Sequence, residues 1–264
     1  MNVLNKVTTW FKNFIKYQPL LRELVKRDLK VRYRHSFLGI LWTVLNPLLN
    51  MLVMTFVFSN MFKMDIENFA LYVMIGNVVF SFTSESTMSS MNSIVWNASL
   101  IKKVYIPKYM FPLSNIISAL VNFSFSFIAM ILVMLFTGAK FYGTIITVWI
   151  PLLYLMVFCY GVGLFLCSIN VFFRDMSHLY SVFINVWMYA SAIFYSTSIL
   201  SKELLAVVEG NPLYQYITFF REIIMEGRFP SAGQNLVCIA WSLGALLVGS
   251  LIFNRTQKKY ILHI

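Results

Sequence analysis

Side chains that perform catalysis or bind metal ions are scarce in this sequence. Only 12% of the residues are charged, and there are three cysteines and three histidines. The sequence contains no G-x-x-x-x-G-K-[ST] phosphate loop, no H-E-x-x-H or G-x-S-x-G motif, and no carboxylate pair spaced as Asp-x-Asp. The missing phosphate loop excludes ATP hydrolysis by that route. We therefore expect no catalytic residue, no metal site and no cofactor within the chain. Cys159, Cys167 and Cys238 lie in apolar stretches without metal or redox spacing, so we interpret them as small apolar residues.

Long apolar stretches dominate the sequence instead. Hydrophobic residues make up 59% of the chain, and the mean hydropathy is +0.73. A helix needs roughly 20 apolar residues to cross the hydrocarbon core of a bilayer. Six stretches meet this requirement: 36–58, 71–92, 110–137, 146–172, 179–200 and 235–254. We predict an all-α integral membrane protein, with a six-helix domain at 36–254, basic helices at 1–35 and a tail at 255–264.

The basic residues are distributed unevenly between the segments that join these stretches. Sixteen of the 21 Lys and Arg residues lie at the two ends of the chain, in 93–109 or at Arg174, and five lie in the alternate loops. Cytoplasmic segments carry the basic excess, so we expect both termini in the cytoplasm. The net charge of +11 adjoins apolar spans, which favours contact with anionic lipid head groups over nucleic acid.

The first 35 residues are predicted to form two helices separated at Pro19. Residues 1–17 are typical of an interfacial amphipathic helix, in which one face carries Val3, Val7, Trp10, Phe11 and Phe14 and the other carries Lys12 and Lys16. Residues 20–34 are strongly basic. Plain membrane anchoring and a cytoplasmic access or gating element that contacts head groups fit equally well. The candidate head-group residues are Lys26, Arg27, Lys30, Arg32 and Arg34.

The segment between the second and third stretches predicts a short cytoplasmic helix. It begins at Asn97, ends at Pro107, and combines apolar with cationic residues. Positive-inside bias explains the lysines but not the apolar positions Leu100, Val104 and Ile106. We interpret the segment as a coupling helix that docks into a groove on another protein. Its candidate residues are Asn97, Leu100, Ile101, Lys102, Lys103, Val104, Tyr105 and Pro107.

The external segment 201–234 predicts an amphipathic helix before the last span. Asn211 can cap it, and Pro212 suits its first turn. Apolar residues then recur at helical spacing, Arg221 falls outside that stripe, and Gly227 ends the pattern. A helix lying at or dipping into the outer leaflet and a simple lid over the bundle are equally compatible. The candidate residues are Asn211, Pro212, Tyr216, Phe220 and Arg221.

Polar and aromatic residues inside the spans give weaker indications. Glu85 lies in a hydroxyl-rich stretch, and buried carboxylates usually face the bundle interior or water. Because no His, Lys or Arg lies in any predicted span, packing or lining of a wet cavity is favoured over proton coupling. Aromatic side chains near spans one and five could stack on sugar rings along a path. These are Trp42, Trp187, Tyr189, Phe194 and Tyr195.

Several of these stretches together resemble the permease subunits of ABC exporters for lipid-linked polysaccharides, meaning O-antigen, capsule and teichoic acid exporters. The stretches are, in chain order, 32–48 (RYRHSFLGILWTVLNPL), 97–107 continuing to Pro112, Arg174-Asp175, and Asn211-Pro212-Leu213 ahead of Phe220-Arg221. The resemblance covers nearly the whole chain. One departure lies after span five, where the family often has proline and this chain reads ASAIFY at 190–195.

The resemblance implies a homodimer in the bacterial cytoplasmic membrane that carries two separate ATPase subunits, which bind the ATP and Mg²⁺. ATP binding would push on the coupling helix, and a glycan on a polyprenyl-type lipid would pass outward between the two permeases. Two other readings remain open. One is an ABC permease for drugs or small lipids, and the other is a membrane-embedded acyl- or glycosyltransferase, which would need a catalytic cluster.

Overall fold

Helices make up every regular element in the part of the chain that is described. The computed structural model describes the backbone of residues 3–34, 38–39, 41–62 and 66–264, and the side chains of the same residues except 3–15, 33 and 58–62. The helices are α1 Val3–Tyr33, α2 Leu41–Phe62, α3 Phe69–Trp96, α4 Ala98–Lys103, α5 Met110–Thr137, α6 Trp149–Asn170, α7 Met176–Tyr189, α8 Lys202–Glu209, α9 Pro212–Arg221, α10 Ala232–Thr256 and α11 Tyr260–His263. Short 3-10 turns precede α6, α8 and α11, and a π-helical turn, Glu222–Glu226, follows α9.

Three helices are long and apolar enough to cross a membrane by length and composition. They are Met110–Thr137, Gly143–Asn170 and Ala232–His263, which confirms three of the six predicted spans within the described residues. The part of α2 whose side chains are described, Leu41–Val57, is apolar as well. α3 has 28 residues, yet its buried face carries hydroxyl side chains. The chain is therefore a multi-pass membrane protein, and the full set of six spans remains a prediction.

α3 occupies the centre of the bundle. It packs against α2, α5, α6, α7 and α9, while α6 packs along α10. The crossing of α6 and α10 is very close, because a Cβ at Gly249 would lie 2.0 Å from the Gly161 carbonyl oxygen. Small residues at such crossings let apolar helices approach closely in a membrane.

Two hydrophobic clusters divide the bundle along its length. One fills the middle and the end that carries Asn68 and Gly138. The other lies at the end that carries α4 and α11, which we call the basic end because lysines flank both helices. Leu21 and Leu24 of α1 are buried in this second cluster with Ile101.

The predicted break at Pro19 is wrong. α1 runs continuously from Val3 to Tyr33 with Pro19 inside it. A proline there removes only the amide that would bond to the carbonyl of residue 15, and the packing of Leu21 and Leu24 just beyond it holds the following turns in place. The proposed apolar face at Val3 to Phe14 lies among side chains outside the described residues.

The predicted fifth span, 179–200, is also wrong as a single helix. α7 ends at Tyr189 after 14 residues, and an irregular segment with a positive φ at Ala192 follows. A 14-residue helix is about 21 Å long, which is shorter than the hydrocarbon core. The break occurs although the proline common in the resembled family is absent.

Candidate functional site

A polar cavity of about 510 Å³ lies between α1, α2, α3 and α5. Its wall carries one guanidinium, one carboxylate, and several amide and hydroxyl groups, although the surrounding helices are mostly apolar. The lining residues are Arg32, Trp42, Thr43, Asn46, Pro47, Asn50, Ser81, Glu85, Asn122 and Ser126. A polar wall of this kind inside a membrane bundle is costly and usually marks a substrate or ion pathway.

Glu85 and Arg32 form an ion pair at the wall of this cavity. Glu85 Oε1 accepts hydrogen bonds from Arg32 Nη1 and from Asn122 Nδ2, the latter at 2.6 Å. Glu85 lies 11 residues before the end of α3, so it is roughly 16 Å along the helix from the basic end. The sequence expectation that Glu85 lacks a basic partner in the spans misses Arg32, which reaches it from α1. Lining of a polar cavity, the other expectation, agrees with its position.

Pro47 shapes the opposite wall of the cavity. It lies inside α2 and has no amide hydrogen for the Thr43 carbonyl one turn earlier. Ser126 Oγ donates to that carbonyl at 3.4 Å and so ties α5 to α2. Because Pro47 leaves the Thr43 carbonyl without its helical hydrogen bond, Ser126 can donate to that carbonyl from α5.

Sequence reasoning missed most of the neutral polar residues of this cavity. Asn46 and Asn50 are four residues apart on α2, and Asn122 and Ser126 are four apart on α5. Residues at this spacing share one face of a helix. Pairs of polar residues at i and i+4 in otherwise apolar spans could therefore have predicted the cavity wall from the sequence.

The five candidate head-group cations of α1 differ in their partners. Lys26 pairs with Glu23 at 2.9 Å, Arg27 pairs with Asp28 at 2.9 Å, and Arg32 pairs with Glu85. Lys30 and Arg34 are exposed and have no ion-pair partner among the described residues. Only Arg32 of the five lines the cavity.

The predicted coupling segment folds as α4, but its outward face differs from the predicted one. Ile101 and Ile106 are buried against the bundle, and Leu100 is partly buried there. Of the predicted apolar positions only Val104 is exposed, and Tyr105 after it and Trp96 at the end of α3 are exposed as well. Lys102 and Lys103 are exposed beside them, while Asn97 is buried and donates to the Ser93 carbonyl at 2.8 Å. The exposed face is therefore aromatic and cationic, because the isoleucines hold α4 in place.

Lys108 and Tyr260 connect the segment after α4 to the C-terminal tail. Lys108 Nζ donates to the Gln257 carbonyl and lies 5.4 Å from the centre of the Tyr260 ring. Burial lowers the pKa of the Lys108 ammonium, since removing water disfavours the charged form. Pro107 is partly buried between these contacts and the end of α4.

The predicted external helix is buried inside the bundle rather than lying on its surface. Asn211 caps α9 by accepting from the Leu213 amide at 3.0 Å, Pro212 is in the first turn, and Gly227 ends the π-helical turn at φ 68°, all as predicted. However, Tyr216 and Phe220 are almost fully buried, as are the other stripe residues. The apolar stripe of α9 therefore packs against α3, α6 and α10 rather than against lipid, and a role as a lid over the bundle stays a prediction.

Arg221 holds the irregular segment after α7. The residue is only 6% exposed, although the stripe analysis places it on a polar face. Its guanidinium donates to the carbonyls of Ala192, Ile193 and Tyr72 at 3.1 to 3.4 Å and lies 3.4 Å from the centre of the Tyr72 ring. Carbonyls that α7 no longer satisfies are thus paired by an arginine from α9.

Asn211 makes a second clamp on the same segment. Its Oδ1 accepts from Trp187 Nε1 at 2.7 Å, and its Nδ2 donates to the Ala190 carbonyl and to Ser191 Oγ at 3.1 and 3.0 Å. The cap of α9 and the end of α7 are therefore one hydrogen-bonded unit.

The five candidate aromatic residues do not form one continuous surface. Trp42 lines the polar cavity, and Tyr189 is 59% exposed on α7. Trp187 is partly buried and bonded to Asn211, Phe194 is buried, and the Tyr195 hydroxyl donates to the Tyr189 carbonyl at 2.8 Å. Only Trp42 and Tyr189 therefore present a largely open ring.

The described residues contain no group of three or more His, Cys, Asp or Glu side chains that could hold a metal ion. The three cysteines are free and buried in the bundle. The described sites offer groups suited to binding. These are an ion pair at a polar cavity and an exposed surface formed by the end of α3, the lysines of α4 and the two residues after α4.

These features belong to a multi-pass membrane protein, and sequence comparison assigns the family. The profile of the ABC-2 type transporter family matches residues 19–225, so the chain belongs to that family.

The chain is similar to the O-antigen export system permease protein RfbA of Klebsiella pneumoniae, with 31% identity across 91% of this chain and 93% of that protein. It is equally similar to RfbA of Myxococcus xanthus, with 31% identity across 92% and 95% of the two chains. The polysialic acid transport protein KpsM of Escherichia coli is 23% identical across 90% of this chain and 93% of its own length.

Proposed function

We propose that the chain is the transmembrane subunit of an ATP-driven exporter that moves a lipid-linked polysaccharide across the bacterial cytoplasmic membrane. The O-antigen, capsule and teichoic acid classes all fit. The observation that carries this proposal is the polar cavity with a guanidinium at its wall, in a chain that aligns over nine tenths of its length with O-antigen export permeases. Amide and hydroxyl groups can form hydrogen bonds with the hydroxyl groups of a sugar, and a guanidinium can pair with a phosphate.

The proposal places both termini and α4 in the cytoplasm, with six segments crossing the bilayer. The excess of Lys and Arg at the basic end supports this orientation. Asn68, Gly138 and Ser231 then lie on the external side. In this arrangement the cavity opens toward the inner leaflet, where α1 ends.

A second copy of the chain and two ATPase subunits complete the proposed exporter. The polar cavity lies at one side of a single bundle and is too small for a polymer, so a long glycan needs a second wall. Membership of the ABC-2 family supports a separate ATPase, which would bind ATP and Mg²⁺.

The exposed face of α4 is the proposed ATPase contact. Replacing Val104 and Tyr105 by Asp puts two unpaired carboxylates into that contact, so the ATPase should dissociate while the permease still inserts. We expect at least a tenfold loss of ATPase recovered with the permease on co-purification. Ile199→Asp, at an exposed site far along the chain from α4, is the matched control and should retain the partner. Normal stoichiometry in the double variant would place the docking surface elsewhere.

The glycan path is proposed to use the open rings of Trp42 and Tyr189. A sliding polymer needs many weak contacts, since one deep binding well would stop its release. Each single change to Ala should therefore reduce export per folded transporter only partly. Phe194, which is buried, serves packing in this scheme rather than contact with sugar.

Deletion of the gene tests the substrate class directly. Loss of a surface glycan, together with accumulation of its lipid-linked form on the cytoplasmic side, is the expected result, and the wild-type gene should restore export. An unchanged surface glycan with altered drug resistance or phospholipid distribution would favour the drug or small-lipid permease. Glycosyl or acyl transfer by the purified chain alone would favour the transferase reading.

A further inference from the structure

The last turns of α1 contact the bundle through an ion pair but bury no described side chain. Leu21 and Leu24 are the buried anchors of this helix. Beyond them, no described side chain in residues 25–34 is buried, and Val31 is 67% exposed. Arg32 nevertheless reaches across to Glu85 on α3. The end of α1 therefore combines a polar contact with only partly buried apolar side chains, whereas Leu21 and Leu24 are packed in a hydrophobic cluster.

The same ion pair is open to replacement. The Arg32 and Glu85 side chains are 40% and 26% exposed, and both line the polar cavity. Among the described residues that line the cavity, they are the only cation and the only acid. A ligand in the cavity can therefore reach the guanidinium, and Glu85 is its present counter-ion.

A carboxylate at this position is unexpected if the cavity only binds an anion. Guanidinium groups pair with carboxylates and phosphates in the same two-pronged geometry. Glu85 thus competes with any phosphate for Arg32 and repels it as a like charge. Asn122, at 2.6 Å from Glu85 Oε1, can retain the carboxylate after the guanidinium leaves.

We propose that Glu85 is a displaceable internal counter-ion that closes α1 onto the cavity until the diphosphate head group of the lipid carrier takes its place on Arg32. This inference rests on the proposed function, since it assumes a phosphate-bearing lipid substrate. Arrival of the head group frees the end of α1.

Release of α1 has a direct route to the proposed ATPase contact. Leu21 and Leu24 lie in the same hydrophobic cluster as Ile101 and Ile106, which hold the two sides of the exposed α4 face. A change in the tilt of α1 would therefore alter the packing of the residues that position α4. The ion pair thereby links occupation of the cavity to the surface that receives the ATPase.

The test measures binding and helix position in the assembled permease–ATPase complex, in nanodiscs of neutral phosphatidylcholine. Farnesyl diphosphate is the probe, and farnesol is the uncharged control. Spin labels at Val31→Cys and Phe173→Cys, both exposed, report the position of α1, and the three native cysteines are buried. Glu85→Gln removes the charge but keeps the shape, and Glu85→Asp keeps the charge. Glu23→Gln is the matched control, because it removes an acid that pairs with Lys26 on α1 itself.

The proposal makes opposite predictions for the two partners of the ion pair. We take about 10 to 30% of ligand-free wild-type molecules to have Arg32 free of Glu85 and able to bind diphosphate. Glu85→Gln removes the competing carboxylate from all molecules, so diphosphate binding should become about three- to tenfold tighter. The ligand-free variant should also show the label distance of the diphosphate-bound wild type. Arg32→Gln should weaken binding about tenfold or more, and Glu23→Gln should remain close to wild type. Glu85→Asp, which keeps the charge, should tighten binding less than Glu85→Gln does.

Unchanged or weaker diphosphate binding in Glu85→Gln would overturn the displaceable counter-ion and leave the pair as a structural contact. Tightening of the same size in Glu23→Gln would overturn it too, because net charge would then explain the effect. A wild type that binds farnesyl diphosphate no better than farnesol would contradict the proposed substrate class itself. Opening of α1 in nanodiscs of phosphatidylglycerol without any diphosphate would assign the site to bulk anionic lipid and overturn the assignment to the carrier.

Discussion

Arg221 and Arg32 both place a guanidinium among apolar helices, but their surroundings differ. Arg221 is 6% exposed, covered by the Tyr72 ring, and bonded to backbone carbonyls of Ala192 and Ile193. Arg32 keeps 40% of its side chain exposed and faces the Glu85 carboxylate beside a cavity.

The difference lies in what can replace each partner. Backbone carbonyls carry no net charge and cannot move independently of the chain, so Arg221 acts as a fixed support for an irregular turn. A carboxylate side chain can rotate away, and a phosphate can substitute for it. One arginine therefore fixes the shape of the bundle, and the other can respond to a ligand. Folding stability and export should separate when the two are altered.

The largest effect on stability is expected at Arg221. Arg221→Met removes the donors for the Ala192, Ile193 and Tyr72 carbonyls, and unsatisfied buried acceptors cost roughly 2–5 kcal/mol together. We expect the detergent-solubilised protein to melt roughly 5–15 °C lower and to accumulate less in membranes. Thermal unfolding followed by intrinsic tryptophan fluorescence measures this.

Arg32→Met is the matched control for that measurement. It should melt within a few degrees of wild type, because its position is half-open to solvent. Equal melting temperatures for Arg221→Met and Arg32→Met would contradict the assignment of a structural role to Arg221 alone.

An intermediate effect is expected at Asn211. Asn211→Ala removes the cap of α9 and the bonds to Trp187, Ala190 and Ser191, at a cost of about 1–3 kcal/mol. The same melting experiment should show a smaller decrease than Arg221→Met. Ser201→Ala removes a comparable cap, on the exposed helix α8, and should change the melting temperature least of the three. If Asn211→Ala behaves like Ser201→Ala, the clamp on the end of α7 contributes little.

Local signals in the sequence predicted the regular parts of this fold. The third predicted span, 110–137, coincides with α5, because its apolar run is unbroken and ends at Gly138. The Asn211 cap, Pro212 and Gly227 were also predictable, since each depends on the conformation of one or two residues.

Contacts between distant segments were not predictable in this way. Arg32 and Glu85 are 53 residues apart, and Arg221 and Ala192 are 29 apart, so no periodicity connects them. Periodicity assigned Arg221 to a solvent face because it assumes that one side of α9 is open. The helix instead packs against α3, α6 and α10, and its arginine donates to buried backbone carbonyls in the irregular segment after α7. The predicted helix break at Pro19 failed for a related reason. Tertiary packing of α1 outweighs the loss of one backbone hydrogen bond.

The smallest effect on stability, with a clear effect on export, is expected at Arg32 itself. Arg32→Gln leaves the end of α1 without its ion pair to Glu85, but partly exposed pairs contribute about 1 kcal/mol or less. The melting temperature should therefore decrease by less than about 4 °C. Export per folded transporter should still fall several-fold, since Arg32 is the one cation among the described lining residues that could bind a phosphate.

Lys30→Gln provides the control for this change, because it removes an exposed α1 cation that does not line the cavity. It should lower export less than Arg32→Gln does. Export is measured as the amount of surface glycan divided by the amount of membrane-inserted permease, which an immunoblot determines for each variant. If both variants reduce export equally, the general positive charge of α1 attracts the substrate and the position of Arg32 at the cavity has no special role. If Arg32→Gln melts as low as Arg221→Met, the ion pair supports the fold, and the contrast between a fixed and an exchangeable arginine fails.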